Sequence, residues 1–240
     1  MDQAQGKYIS GQFGGVHDLN KIDQEYKEFN VFFKYNYLKH LPENKDKKII
    51  DVACGLGHTL NSLKENKYTD IEGIDISVEC VNFCQKKGFS VKEVDASNFF
   101  QDKEGVYDFI IMNDIIEHIE KDKIISLLSN IRKSLKDGGK LIIKTPNAAN
   151  GILGLEGRYM DFTHKIIFSA ASIKQVLKIA GYKDFQVYPS NLYVFYKNPL
   201  NYVALFMNCM FNMCLKIYFK INGKMAENIF TKNIIAIGKK

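Results

Sequence analysis

The sequence predicts an α/β protein. A seven-stranded, mostly parallel sheet carries helices on both faces, a helical arm precedes it, and a helical insertion interrupts it before its last strand. Three observations lead there. Short aliphatic runs alternate with segments of helical periodicity from residue 48 to residue 187. The runs are apolar at successive positions, as strands covered on both faces must be. A turn with two glycines, Gly55-Leu56-Gly57, follows the first run and opens a helix.

Each element follows from local pattern. Residues 1–20 are polar and hold Gly6, Gly11, Gly14 and Gly15, which predicts a flexible arm, with a single domain over 21–240. Ile22, Tyr26, Phe29, Phe32, Phe33 and Tyr37 recur at helical spacing, and Pro42 ends that helix. Strands are expected at 48–53, 71–76, 91–94, 107–112 and 140–144, with helices at 58–65, 78–87 and 121–135 between them. A loop is expected after the third strand, and Asp137-Gly138-Gly139 reads as a turn. After the fifth strand, stopped by Pro146, a long loop leads to a helix at 169–180 ended by Gly181. Residues 183–187 and 234–237 supply the sixth and seventh strands, with an insertion at about 198–230 between them.

Composition narrows the function classes. An apolar share of 46% and a charged share of 25% describe a soluble globular chain. The first ten residues lack the apolar core of a signal peptide. Cys54, Cys80, Cys84, Cys209 and Cys214 form no CxxC pair, so reduced thiols and a cytoplasmic protein are expected. No His, Cys or carboxylate set has metal-ligand spacing, so no metal is expected. The net charge is +6, yet residues 199–240 alone carry six lysines against one acid, Glu227. The excess therefore sits in the tail, which argues against a nucleic-acid enzyme.

The glycine turn admits three ligands. A P-loop needs a Lys-Ser/Thr after its last glycine, and none is present. A dinucleotide loop needs a third glycine where Leu60 stands, which disfavours NAD. S-adenosylmethionine (SAM) has no phosphate. It carries a sulfonium, an amino-acid end, a ribose and an adenine, and so wants acids at strand ends. Asp51, Asp75 and Asp95 close the first, second and third strands in that way.

With those residues in view, the chain resembles the class I SAM-dependent methyltransferases. "DVACGLG" (51–57), "GIDIS" (73–77), "VDAS" (94–97), "NDIIEHI" (113–119) and "LKDGGKLIIKTPN" (135–147) carry the likeness, over roughly residues 30–190. Ala53 stands where the family loop usually has its first glycine. The resemblance implies a Rossmann-like sheet and a seat for SAM, or its product S-adenosylhomocysteine, formed by Asp51, Ala53, Gly55, Gly57, Asp75, Ile76, Asp95, Ala96, Asn113 and Asp114. "RYMDFTHKIIF" (158–168), followed by a helix ending in Ala-Gly-Tyr, is similar to methyltransferases of bacterial surface-polysaccharide (O-antigen or capsule) gene clusters. That implies a hydroxyl or phosphate-type oxygen on a sugar-derived or sugar-linked precursor as acceptor.

In-line displacement on an activated donor needs alignment above all, which contributes about 7–11 kcal/mol. A hydroxyl acceptor must also lose a proton. His164 is the first candidate for general base or acceptor positioning; alternatively it bonds Asp161 and shapes the loop. His118 either acts near the methyl group or holds the structure, and Glu117 beside it is expected to be solvated or a structural partner. Arg158 and Tyr159 are expected to face the acceptor, Arg158 pairing with a phosphate or carboxylate, or else with Asp161. His17 and His40 are expected at the surface, and His58 at the cofactor or at a solvated helix start.

The insertion reads as one helix over 200–220 with a narrow polar stripe of Asn208, Asn212, Lys216 and Lys220. It packs on its own sheet or pairs with a second subunit, or covers the acceptor site, or lies in a membrane surface with the lysines at anionic lipids. Three other functions stay open. They are a quinone-type or other small-molecule methyltransferase, an RNA methyltransferase, and an inactive SAM-binding partner subunit.

Overall fold

The computed structural model describes residues 21–190, 199–223 and 229–240. The arm expected at 1–20, with His17, lies outside the described residues, as do 198 and 224–228 of the insertion. The strands are β1 (Ile49–Val52), β2 (Ile71–Asp75), β3 (Val91–Glu93), β4 (Tyr107–Asn113), β5 (Leu135–Pro146), β6 (Asp184–Pro189) and β7 (Asn233–Lys239). The helices are α1 (Ile22–Asn36), α2 (His58–Glu65), α3 (Val78–Lys86), α4 (Ala96–Phe99), α5 (Lys121–Ser134), α6 (Leu153–Tyr159), α7 (Ala170–Ile179) and α8 (Leu200–Ile221). The sheet order is β3-β2-β1-β4-β5-β7-β6. Only β7 runs against its neighbours, pairing antiparallel with β5 and β6.

Alternation along the strands divides the core. Ile49, Phe109, Ile111, Ile142, Ile235 and Ile237 pack with Phe32, Phe33 and Tyr37 of the N-terminal segment and Leu63 of α2. Ile50, Val52, Ile110, Met112, Leu141 and Ile143 pack with Ile124, Leu127, Leu128 and Ile131 of α5 and Ile173 and Leu177 of α7. With both faces covered, the only way to reach a ligand is along the strand ends. The chain order reverses between β1 and β4, so the crevice opens past their carboxyl ends.

Four expectations change. The turn at 137–139 is a bulge inside β5, where the register to β4 shifts between Tyr107 and Phe109 and Gly138 takes φ +77°. The loop after β3 begins with α4, whose N-cap is Asp95. The loop after β5 contains α6, a glycine-rich helix without an apolar stripe. A Cβ at Gly154 would lie 2.6 Å from the Asn147 carbonyl, so glycine permits the helix to close on the strand end. His40 is half-buried against Tyr188, and burial, with Lys39 and Lys140, lowers its pKa to about 4.

The insertion forms α8 as expected, but no residue of it is buried, so it does not pack into the core of its own sheet. Its orientation is inverted. Asn201, Leu205, Asn208, Asn212, Leu215 and Phe219 form the partly shielded stripe. Val203, Phe206, Met207, Met210, Met213, Ile217 and Ile221 face outward and are exposed. Of the expected polar stripe, the asparagines turn to the shielded side and Lys216 and Lys220 stay exposed.

At the foot of β4, Asp108 closes the sheet opposite the site. Its Oδ2 accepts from the Lys48 amide (3.0 Å) and Lys136 Nζ (2.7 Å), and its Oδ1 pairs with Lys47 Nζ (3.1 Å). Burial pushes this carboxyl up, but the Lys136 and Lys48 donors outweigh burial and hold it below its ordinary value. A depressed carboxylate stabilises above its unfolded pKa of about 4, and that contribution is lost as pH falls through the folded value. Asp108→Asn should therefore cost about 1 kcal/mol at neutral pH. Urea unfolding curves should show the gap to the unsubstituted protein narrowing below about pH 4; a gap that widens on acidification would contradict the assignment.

Candidate active site

The loop after β1 is wound by alternate left-handed residues: Ala53 (φ +56°), Gly55 (φ +51°) and Gly57 (φ +81°). Ala53 bears the strain that a glycine would relieve. Asp75, at the end of β2, fixes the loop from the side. Its Oδ2 accepts from the Gly55 amide and its Oδ1 from the Ser77 amide, both at 2.8 Å. Helix α1 clamps the loop from outside: Tyr26 Oη donates to the Leu56 carbonyl (2.6 Å), and His58 pairs with Glu25 (3.2 Å). His58 thus ties α2 to α1.

A chain of side chains crosses from α1 to β1. Tyr37 Oη donates to Asn113 Oδ1 (2.6 Å), Asn113 Nδ2 donates to Thr59 Oγ1 (2.9 Å), and Thr59 hydrogen-bonds Asp51. The Asn113 side chain, expected at the cofactor, is a link in this chain. Burial raises the Asp51 pKa well above the ordinary carboxylate value, and the neighbouring Asp75 adds to it. Burial also raises that of Asp75, against the pull of its backbone donors. Two buried acids under one loop disfavour a phosphate, and a cation above them would favour their ionised forms. The Ile76 amide also donates to the Asp75 carboxylate, so three backbone donors hold it and one acceptor position is left for a ribose hydroxyl. A Cβ added at Gly55 would meet nothing within 4 Å, so space lies open over the loop. The residues fit SAM as the sequence reading expects, since buried acids beside an open loop suit its cationic amino-acid end and its ribose.

The remaining expected cofactor residues have mixed fates. Ile76 and Ala96 are half-buried beside Asp75 and Asp95. Asp95 caps α4 through Oδ1, accepting from the Ser97 and Asn98 amides, and its Oδ2 stays available for an adenine amino group. Asp114 takes φ +51° and its carboxylate is exposed, paired with Lys144.

The acceptor side joins two segments distant in sequence. The amides of Lys165 (2.7 Å) and Ile166 (3.2 Å) both donate to the Glu117 carbonyl. That clasp brings His164 against His118, ring centroids 4.5 Å apart. Thr163 Oγ1 donates to Asp161 Oδ1 (2.7 Å), so it can only accept from His118 Nδ1, 2.8 Å away. His164 Nδ1 donates to the Gly157 carbonyl (2.5 Å). Both rings are thus committed at Nδ1 and keep a lone pair at Nε2. Burial, then the neighbouring His164, lowers the His118 pKa. Burial pushes Asp161 up, but the Thr163 hydroxyl and amide outweigh it.

Of the two expectations for Glu117, solvated or a structural partner, the structure keeps the second. The residue is fully buried. Oε2 accepts from Thr145 Oγ1 (3.0 Å), while Oε1 is buried without a partner. Burial raises its pKa to about 8. Thr145, Gly157 and Thr163 escaped notice because each acts only through a partner brought by the fold. Arg158 lies over the ring of exposed Tyr159, 5.3 Å from its centroid, rather than on Asp161. His164, Asp161 and His118 meet as one cluster, and Arg158 and Tyr159 stand on α6 beside it.

Comparison with known proteins agrees with this geometry. A family model described as a methyltransferase domain matches residues 28–187. The chain is 28% identical over 141 residues to the ubiquinone biosynthesis O-methyltransferase of Rickettsia prowazekii, covering 58% of this chain and 53% of that one. It is 33% identical over 149 residues to phosphoethanolamine N-methyltransferase 3 of Arabidopsis thaliana, covering 57% and 29%. The chain thus spans about half the length, or less, of these curated relatives. A SAM-dependent methyltransferase from Archaeoglobus fulgidus superposes with a TM-score of 0.67 at 20% identity, over 93% of this chain and 100% of that one. Phosphoethanolamine N-methyltransferase 2 of Haemonchus contortus, solved with SAM, gives 0.54 at 14% identity, over 98% and 56%. The chain belongs to the methyltransferase-domain family and carries the fold of its class I, SAM-dependent members.

Proposed function

We propose that the protein transfers the methyl group of SAM to an oxygen of a small acceptor, releasing S-adenosylhomocysteine, with residues 21–240 acting as one domain. The observation that carries this is the pair of buried acids, Asp51 and Asp75, beneath the left-handed loop. The acceptor reading rests on His118 and His164, whose Nε2 lone pairs suit a hydroxyl, with Asp161 orienting His118 through Thr163. The relatives' names include an O- and an N-methyltransferase. Choice of oxygen therefore rests on the site, and choice of a sugar-linked surface-polysaccharide precursor rests on the "RYMDFTH" resemblance. Arg158 and Tyr159 form the outer wall toward that acceptor.

Two measurements test the donor seat. Calorimetry should find S-adenosylhomocysteine binding at micromolar strength, weakened at least tenfold in Asp75→Ala; tighter binding of NAD would overturn the reading. Gly57→Ala forces a side chain into φ +81° with its Cβ 3.1 Å from Cys84 Sγ. It should lose about 2 kcal/mol of stability, read as a drop in melting temperature.

The acceptor reading extends to where the enzyme works, the cytoplasmic surface of an anionic membrane. α8 is long and apolar enough to span a bilayer. Yet β6 and β7 pair Pro189 with Ile234, and Phe219 meets Phe230 (5.0 Å), so both ends of the insertion lie at one edge of the sheet. A crossing would need a return of chain through hydrocarbon. An in-plane helix suits its outward Met, Phe and Ile side chains. Ile152, Leu155, Tyr159, Met160 and Phe162 add exposed apolar surface at the site's rim. Lys216 and Lys220 complement anionic headgroups. The protein should sediment with phosphatidylglycerol vesicles and not with phosphatidylcholine ones, and Met210→Glu with Ile217→Glu should abolish it. No sedimentation, or a dimer that the same pair dissociates, would refute this.

A further inference from the structure

The clasp between residues 117 and 165–166 gathers three unspent lone pairs. Glu117, His118 and His164 each offer one ligand atom, all within 4.8 Å of one another. The hydrogen bonds show which of their atoms are free to bind. Nδ1 of His118 is held by Thr163, itself bonded to Asp161, and Nδ1 of His164 is held by the Gly157 carbonyl. Glu117 Oε2 is held by Thr145. That leaves Nε2, Nε2 and the orphaned, fully buried Oε1 of Glu117. An imidazole whose far nitrogen donates to a carboxylate relay or a carbonyl is oriented as metal-bound histidines are. A buried carboxyl oxygen with no partner is costly, and a cation that takes the place of its proton would satisfy it.

We propose that Glu117, His118 and His164 form a binding site for a divalent first-row transition metal, which takes a hydroxyl of the acceptor, or two neighbouring hydroxyls, as further ligands. This rests on the reading of the cluster as the acceptor side and deepens it: with the ion bound, the two Nε2 lone pairs hold the hydroxyl through the metal instead of accepting from it directly. Two imidazoles and one carboxylate suit zinc, iron, cobalt or manganese and leave coordination positions open. Ligand–metal distances of about 2.0–2.2 Å put neighbouring ligand atoms about 3 Å apart, so binding draws the three side chains inward. The expectation of no metal rested on spacing along the chain, and this set is assembled across the fold instead.

The chemistry balances without a protein base. A hydroxyl bound to the ion is acidified and yields its proton to water. The oxygen lone pair then forms the C–O bond to the methyl carbon as the S–CH₃ bond breaks, and that bond's electron pair stays on sulfur as the neutral thioether. Two adjacent hydroxyls on one ion would fix which of them faces the methyl group, so the acceptor class is a vicinal diol, as on a sugar ring.

The test is direct metal binding by the full chain, made metal-free by dialysis against a chelator. Mn²⁺ followed by electron paramagnetic resonance should show about one saturable site per chain. His164→Ala and Glu117→Gln should each weaken it about tenfold or more. S-adenosylhomocysteine calorimetry on the same samples separates the two readings. If both variants bind that ligand as the unsubstituted protein does, the donor seat is folded and any loss of Mn²⁺ belongs to the cluster. Normal ligand binding with no saturable Mn²⁺, Co²⁺ or Zn²⁺, or metal binding unchanged in both variants, would overturn the metal site and leave the methyltransferase reading standing. Failure to bind the ligand in the unsubstituted protein would remove that reading as well.

Discussion

One carboxylate organises the donor half of this molecule. Asp75 ends β2, and its two oxygens accept the amides of Gly55 and Ser77. In the left-handed loop the Cys54 amide still meets the Ile74 carbonyl of β2 and the Gly57 amide the Cys54 carbonyl, and the Gly55 amide between them takes its acceptor from a side chain. Asp75 supplies one to the loop after β1 and another to the turn that opens α3. The parallel pairing of β1 with β2 sets Val52 opposite Ile74 and so delivers the acid to the loop. Sheet register, loop shape and ligand seat are therefore a single arrangement. Asp51, on the neighbouring strand, adds the second buried acid and makes the crevice a place for positive charge.

The acceptor half depends on a different device. No strand pairing links the turn after β4 to the segment after α6. The Glu117 carbonyl accepts two amides from that segment, and the side chains around it share one direction of hydrogen bonding. Asp161 takes the Thr163 proton, Thr163 takes the His118 proton, and His118 is left with a lone pair. The same logic holds for His164 on Gly157. Donors are consumed at the back of the cluster, and acceptors accumulate at its front.

Periodicity and strand-end acids made the sheet, its helices and the loop on which the proposed donor seat rests legible in the sequence, because each depends on residues within one βα unit. Asp51, Gly55, Gly57 and Asp75 are of that kind. The short helices α4 and α6 were not legible. α4 has a single turn, and α6 is built on glycines that pack by closeness instead of by an apolar stripe. Which of its two expectations Glu117 meets was hidden for a related reason. An acid beside a histidine in a short turn looks solvated until the returning chain after β5 covers it. His118 and His164 were named, yet nothing in their spacing says that their rings touch. The inward turn of Asn208 and Asn212 in α8 was equally hidden, since a polar stripe by itself says nothing of which side meets the protein.

Several departures from ordinary folding rules meet at one end of the sheet. Left-handed Ala53 and Asp114, the unpartnered Oε1 of Glu117 and the exposed apolar rim of α6 all lie beyond the carboxyl ends of the strands. α8 joins them there, hung between β6 and β7 with its apolar face outward. The opposite end of the sheet carries such costs too: Lys67 takes φ +68°, and His40 Nε2 and Arg132 Nε are buried without a partner, although Asp108 there is fully paired. At the site end they stand around an open crevice, where a ligand can offset them. A cation above Asp51 and Asp75, a positive ion before Glu117 and a lipid surface against α8 would each cancel one of these debts. The same end of the sheet would then hold donor, acceptor and membrane together, which is the geometry a lipid-linked acceptor requires.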